Sequence, residues 1–298
     1  MPAQVDPSLY PFASHFLGVD GLRLHYLDDG HGDPVVMLHG NPTWSFYYRN
    51  LVKALRGTHR CIVPDHLGCG LSDKPTADQY NFSLRSRIDD LEELLDHLNL
   101  SGKVTLVLHD WGGMIGMGYA VRHPKRIARL IILNTSAFHL PKSKRLPWAL
   151  WLGRNTWLGA WLILHMNAFC RAAAQIGTKR RRLSPMVRAG LLAPHDTPAH
   201  RLAVLRFVQT IPLRPGDAGY DLVSAIEAGL EQFQDRPMLI CWGMKDFVFD
   251  SHFLAEWEQR FPKAGVVRFA DCGHYVLEDA PEEIVECVRR FLSAHPIG

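Results

Sequence analysis

The chain has 298 residues, 47% of them hydrophobic and 21% charged; that length can bury a large core, and the balance excludes a disordered or fibrous chain. A formal net charge of +3, with no nucleic-acid fold pattern beside it, leaves no nucleic-acid partner expected. The six cysteines, Cys61, Cys69, Cys170, Cys241, Cys272 and Cys287, show no CxxC spacing, which excludes a zinc knot or thioredoxin-like pair and reads as free thiols in a reducing, cytoplasmic compartment.

Residues 1–10 lack a basic patch followed by an apolar run, so no signal peptide is expected. Residues 16–27 alternate around Asp20-Gly21 and read as a hairpin. Pro34 introduces the apolar run 35–38, a buried strand that ends in the loop His39-Gly40-Asn41-Pro42-Thr43-Trp44. A helix is predicted over 45–55, then a strand over 61–63 closing at Pro64-Asp65. Asp65 and the Gly68-Cys69-Gly70 loop read as structural turns. Ser83 is the expected N-cap of a helix whose apolar positions are Ile88, Leu91, Leu94, Leu95 and Leu98. A strand follows over 104–108, a glycine-rich helix over 112–121 and a strand over 127–133.

The strand–helix rhythm then stops. Residues 137–223 read as helical and irregular, with prolines at 141, 147, 185, 194, 198, 212 and 215. The most apolar stretch, 146–169, is broken by Gly153, Arg154, Asn155 and Gly159 and does not read as a membrane span. The rhythm resumes with a strand over 238–242, a helix over 251–260, a strand over 266–270 and a helix over 281–292, with Pro281 in its first turn. The pattern is an α/β fold: a mostly parallel eight-stranded sheet with a helical cap inserted after the sixth strand. Residues 1–136 and 224–298 form its core and 137–223 the cap, placed at the strands' carboxyl ends where such sheets bind ligands. Residues 137–223 carry 13 Lys and Arg against 3 Asp, so the cap is basic and the remainder acidic.

Asp110 directly follows a strand and precedes Trp111-Gly112-Gly113, which opens a helix. That is the setting of a nucleophile elbow, with Gly112 in the last position of the pattern and Leu108 where the first glycine is usual. Asp246 and His274 each follow a later strand. The order nucleophile, acid, histidine is that of α/β-hydrolases. A carboxylate with an ordinary pKa of about 3.9 needs no base to activate it. His274 is therefore expected to activate the water that cleaves a covalent intermediate, with Asp246 orienting the imidazole. The backbone N–H groups of Asn41 and Trp111 are the expected oxyanion donors, and their carboxamide and indole can donate to a developing anion. His109 stays unassigned. No cofactor and no metal is expected.

His39-Gly40-Asn41-Pro42-Thr43-Trp44 together with Asp110-Trp111-Gly112-Gly113 closely resembles the haloalkane dehalogenase family of α/β-hydrolases, over nearly the whole chain. In that family an aspartate displaces halide from carbon, an Asn–Trp pair holds the halide, and a histidine-activated water releases the alcohol. The resemblance places those roles on Asp110, on Asn41 with Trp111, and on His274. With Asn134 at the end of the sixth strand, the acid falls on Asp246.

Within this family the chain most resembles the β-lactone decarboxylases of bacterial long-chain olefin biosynthesis. That resemblance implies a cis-β-lactone with two long alkyl chains, converted to a cis-alkene through a covalent aspartyl intermediate. Attack at the lactone carbonyl would give a mixed anhydride; attack at the ring C–O carbon is the alternative. It also implies a homo-oligomer and assembly with other olefin-pathway enzymes.

Trp148, Trp151, Trp157 and Trp161, among many leucines, are expected to wall the substrate site, since each buried methylene gains about 0.8 kcal/mol. Against this stand an ordinary cap core and a surface that docks a partner or a membrane. The run Lys179-Arg180-Arg181-Arg182 would draw an acidic partner or anionic lipid, giving peripheral membrane contact. The alternative reaction is hydrolysis of a haloalkane to alcohol and halide. Epoxide hydrolysis is disfavoured by a single cap tyrosine, Tyr220, and fluoroacetate-type chemistry by Trp111 where arginine is usual. A non-catalytic scaffold is disfavoured by the intact Asp110, Asp246 and His274.

Overall fold

The computed structural model describes residues 5–100 and 102–297. The first four residues of the stretch in which no leader was read lie outside that range. Eight strands form one sheet: β1 (His15–Val19), β2 (Leu22–Asp29), β3 (Asp33–Leu38), β4 (His59–Pro64), β5 (Val104–Asp110), β6 (Ile127–Thr135), β7 (Met238–Gly243) and β8 (Gly265–Phe269). Their spatial order is β1-β2-β4-β3-β5-β6-β7-β8. β2 is antiparallel to both β1 and β4, and every other pairing is parallel.

The central strands are continuous apolar runs because helices cover both faces of the sheet. Strand alternation divides each run between two cores. Val36, Leu38, Leu106, Leu108 and Ile132 point to the face covered by helices Leu84–His97 and Trp111–Arg122. Val35, Met37, Val107, Ile131 and Leu133 point to the face covered by Arg49–Leu55 and Pro281–Ala294. Ser83 caps the first of these helices through a reciprocal pair with Ser86. The predicted helix over 45–55 opens as a tighter turn, Ser45–Tyr48. All six cysteines are free.

After β6 the chain leaves the sheet. Helices Trp148–Asn155, Trp157–Met166, Ala168–Ile176, Pro185–Leu192 and Leu202–Gln209 lie between β6 and β7. A small core of their own joins Leu150, Ile163, Cys170, Val204, Leu205 and Val208. Helix Tyr220–Gly229 packs Val223 and Ile226 into the sheet's core, so a boundary after residue 223 falls inside one helix.

The basic run at 179–182 meets the core, where half of its charge is paired. The backbone N–H groups of Lys179, Arg180 and Arg181 donate to the buried Asp279. Arg180 pairs with Asp271 and Glu283, and Arg181 with Glu282. This segment straps cap to core across the acidic face of the terminal helix.

Candidate active site

Asp110 ends β5 at φ 50° and ψ −127°, a backbone state that costs a non-glycine residue on the order of 1–3 kcal/mol and persists only when its surroundings enforce it. The Thr135 hydroxyl on β6 donates to the Asp110 carbonyl. A Cβ at Gly112 would collide with the Leu38 carbonyl, so only glycine lets the following helix sit this close to β3. The departure at Leu108 has a local explanation. Its side chain fills the space left by Gly116, one turn into the same helix, where a Cβ would strike it.

The turn after β7 brings in Asp246, and the turn after β8 brings in His274. Asp110, Asp246 and His274 are all buried. His274 Nδ1 donates to Asp246 Oδ2 at 2.8 Å, which leaves Nε2 on the cavity side. His274 Nε2 stands 3.7 Å from Asp110 Oδ2, adjacent but beyond hydrogen-bond length. Asp246 Oδ1 accepts from the Val248 N–H at 2.7 Å. Burial by itself would lower the His274 pKa; Asp246, its hydrogen bond and Asp110 together outweigh burial and raise it. Burial also raises the Asp110 pKa from the ordinary aspartate value, against the pull of His274 and of the N–H groups of Asn41 and Trp111.

Those two N–H groups both meet the Asp110 carboxylate. The Asn41 N–H donates to Asp110 Oδ1 at 2.6 Å, and the Trp111 N–H favours the same carboxylate. The donors that would receive a carbonyl oxyanion thus hold the aspartate itself. Side-chain donors remain. Asn41 Nδ2 gives one N–H to the Val204 carbonyl in the cap at 3.1 Å, and a primary amide has a second. The Trp111 indole N–H has no partner among the described residues, and its ring packs on Phe207 at 5.3 Å.

Asp110, Trp111, Asn41 and His274 share the wall of a cavity of about 360 Å³, whose other lining is largely apolar and includes Phe138, Leu146, Phe169, Val208 and Phe249. Of the four cap tryptophans, only Trp148 borders it. Trp151, Trp157 and Trp161 lie outside the cavity and are 53%, 80% and 44% exposed. Helix Trp157–Met166 is apolar on nearly every side, so periodicity could not tell which face its neighbours would bury.

Two residues left without a role take defined positions. His109 Nε2 donates to the His274 carbonyl at 2.9 Å, with its ring between Tyr47 and His274. Complete burial, then the charge of His274, keeps its pKa well below the ordinary value, so it is a neutral strut. Asn134, at φ 36°, donates to the Gly243 carbonyl at 3.0 Å and accepts the Gly243 N–H at 2.8 Å. It fastens the turn that carries Asp246. A polar residue at a strand end was the only signal either gave. Asp65 holds the loop after β3, accepting from the Ser45 and Leu71 N–H groups and pairing with His25.

Comparison with known proteins agrees with this architecture. A family model for the alpha/beta hydrolase fold matches residues 33–281. The chain is 58% identical to a cis-3-alkyl-4-alkyloxetan-2-one decarboxylase of Shewanella oneidensis, over 96% of this chain and 90% of the relative. A protein of the same name from Xanthomonas campestris pv. campestris is 45% identical over 97% and 98%. Haloalkane dehalogenase 2 of Mycobacterium bovis is 33% identical over 95% and 96%.

Proposed function

This chain belongs to the α/β-hydrolase family, in the group that contains both β-lactone decarboxylases and haloalkane dehalogenases, and from that premise we propose that it converts a cis-β-lactone bearing two alkyl chains to a cis-alkene and carbon dioxide. The observation that carries the choice is full-length identity of 58% to a decarboxylase against 33% to a dehalogenase. The apolar cavity around one carboxylate and one imidazole is consistent with it.

In this reading Asp110 is the nucleophile, and its target is the ring carbon that bears oxygen. Attack at the lactone carbonyl would build a tetrahedral oxyanion, while the N–H groups that would meet it are directed at Asp110. Displacement at the ring carbon puts the new charge on the departing ring carboxylate, where the Asn41 carboxamide and Trp111 indole can donate to it. The Asp110–carbon bond forms as the ring carbon–oxygen bond breaks, giving an alkyl ester and a free carboxylate. That carboxylate then leaves as carbon dioxide. Its carbon–carbon pair becomes the double bond, and the ester bond returns its pair to Asp110. No water is consumed.

His274, with its raised pKa, supplies positive charge beside Asp110 as that carboxylate departs. Asp246 orients the ring. The cavity lies near the low end of the roughly 300–1,000 Å³ usual for ligand sites, so two long chains would extend out through its mouth. Hydrolytic dehalogenation is the second reading, favoured by the same two side-chain donors, which suit a halide equally. Purified protein given a long-chain cis-β-lactone should release cis-alkene, and given 1-bromoalkanes should release little halide. Halide release without alkene would reverse the choice.

A further inference from the structure

Three of the four cap tryptophans, Trp151, Trp157 and Trp161, lie outside the cavity, and no element among the described residues covers them. Leu150 and Ile163 turn one side of helices Trp148–Asn155 and Trp157–Met166 into the cap core against Val204, Leu205 and Val208. The other side bears Trp148 and Trp151 one turn apart, then Trp157 and Trp161 one turn apart, with Leu158 beside them. Trp148 is 78% exposed. Large exposed aromatics gathered this way mark a contact surface. The cavity opens into it: Trp148, Ile176 and Phe247 line the cavity and are themselves exposed.

Charge selects the occupant. Residues 137–195 hold ten Lys and Arg and no Asp or Glu. Lys144, Arg154, Arg180 and Arg181 are paired with carboxylates. Lys142, Arg145, Arg171, Lys179, Arg182 and Arg188 are exposed and make no ion pair among the described residues. A second copy would bring the same cations against this face, which like-charge repulsion disfavours. Tryptophan at an apolar–polar boundary with lysine and arginine around it is the composition that seats a protein on an anionic lipid surface. Among the described residues no helix is long and apolar enough to cross a membrane, so the contact is peripheral.

We propose that the tryptophan face of the cap docks on an anionic lipid bilayer with the cavity mouth turned toward it. Trp151, Trp157 and Trp161 enter the boundary between headgroups and acyl chains, and the unpaired cations meet the headgroups. An apolar substrate dissolved in the bilayer then passes to Asp110 through the opening beside Trp148. This surface stands whether the substrate is a lactone or a haloalkane; only the passage of long chains rests on the reading above.

The test is vesicle co-flotation of the full chain, with turnover measured separately on a short-chain soluble substrate. Vesicles of mixed phosphatidylcholine and phosphatidylglycerol should carry the protein, and vesicles of phosphatidylcholine alone should carry about tenfold less. Trp151→Ser with Trp157→Ser should lower binding at least about tenfold. Its short-chain turnover and melting temperature should stay unchanged, because neither side chain lines the cavity or belongs to a core cluster. Brominated acyl chains should quench wild-type tryptophan fluorescence and spare most of the variant's. Absence of flotation with the anionic vesicles overturns the proposal, as does binding that the double substitution leaves intact. A wild type that does not float but loses a stable oligomer on the same substitution assigns the face to contact between copies and likewise overturns it. Failure of lactone turnover alone overturns the reaction and leaves the surface standing.

Discussion

The floor and the roof of the cavity are built by opposite rules. On the floor, polar side chains from four strand ends are buried and fixed: Asp110 by Thr135 and Asn41, Asp246 by the Val248 N–H, its turn by Asn134, and His274 by Asp246 and His109. The roof is made of short apolar helices whose largest side chains stand in solvent. Preorganised polar groups do chemistry on the charge they already face. An apolar roof selects by the area it offers and by what lies outside it. The polar floor suits a class of bond cleavage and does not by itself choose the leaving group.

Breaking the floor should cost most. Asp110→Asn removes the proposed nucleophile and should lower turnover by about 10⁴-fold or more, with the fold intact by circular dichroism. His274→Ala should lower it by about 10²–10⁴-fold. Under the hydrolytic reading the same variant would instead accumulate an alkyl ester on Asp110, visible by mass spectrometry of the intact protein.

The pH profile separates the two readings without mutation. As the proposed nucleophile Asp110 must be ionised, and burial raises its pKa from the ordinary aspartate value, so activity should be lost as pH falls through that raised value. The proposed decarboxylation uses charged His274, whose pKa is also raised, so activity should fall again as pH rises through a value above about 6.5. Water activation needs the neutral ring and would give the opposite slope on that upper limb.

Smaller effects sharpen the contrast between floor and frame. Asp279→Ala strips an acceptor from the Gly273 N–H and from the strap at 179–181, and should cost about 3 kcal/mol of stability in urea unfolding. Asn134→Ala strips the acceptor from the Gly243 N–H and one of two donors from the Gly243 carbonyl, and should cost about 1–3 kcal/mol. It should also lower kcat with KM held. His109→Phe should lower kcat and shift the upper limb of the pH profile, which a merely structural role would not move. Trp157→Ser, on the roof, should change stability by less than about 0.5 kcal/mol.

The floor was legible in the sequence for a physical reason. A doubly covered sheet needs uninterrupted apolar strands, so each strand end is marked where the run stops. Asp110, Asp246 and His274 stand at three such ends. The roof gave no comparable signal, because helix Trp157–Met166 is apolar almost all round and its buried side depends on neighbours far along the chain. The roles of His109 and Asn134 were hidden for another reason. Each acts through a hydrogen bond to backbone more than 100 residues away, and sequence spacing carries no trace of that. The Asn41 and Trp111 amides were identified as donors, yet their acceptor depends on the conformation of Asp110, which only the elbow geometry fixes.

Mass spectrometry of Asp110 after turnover in heavy-oxygen water separates elimination from hydrolysis. The enzyme is given excess cis-β-lactone for many turnovers, and the peptide containing Asp110 is weighed alongside the released hydrocarbon. Displacement at the ring carbon followed by elimination predicts cis-alkene and an unlabelled Asp110, because the carboxylate leaves with both of its own oxygens. Heavy oxygen in Asp110, with an alcohol in place of the alkene, would mean that water cleaves the ester and would contradict the account.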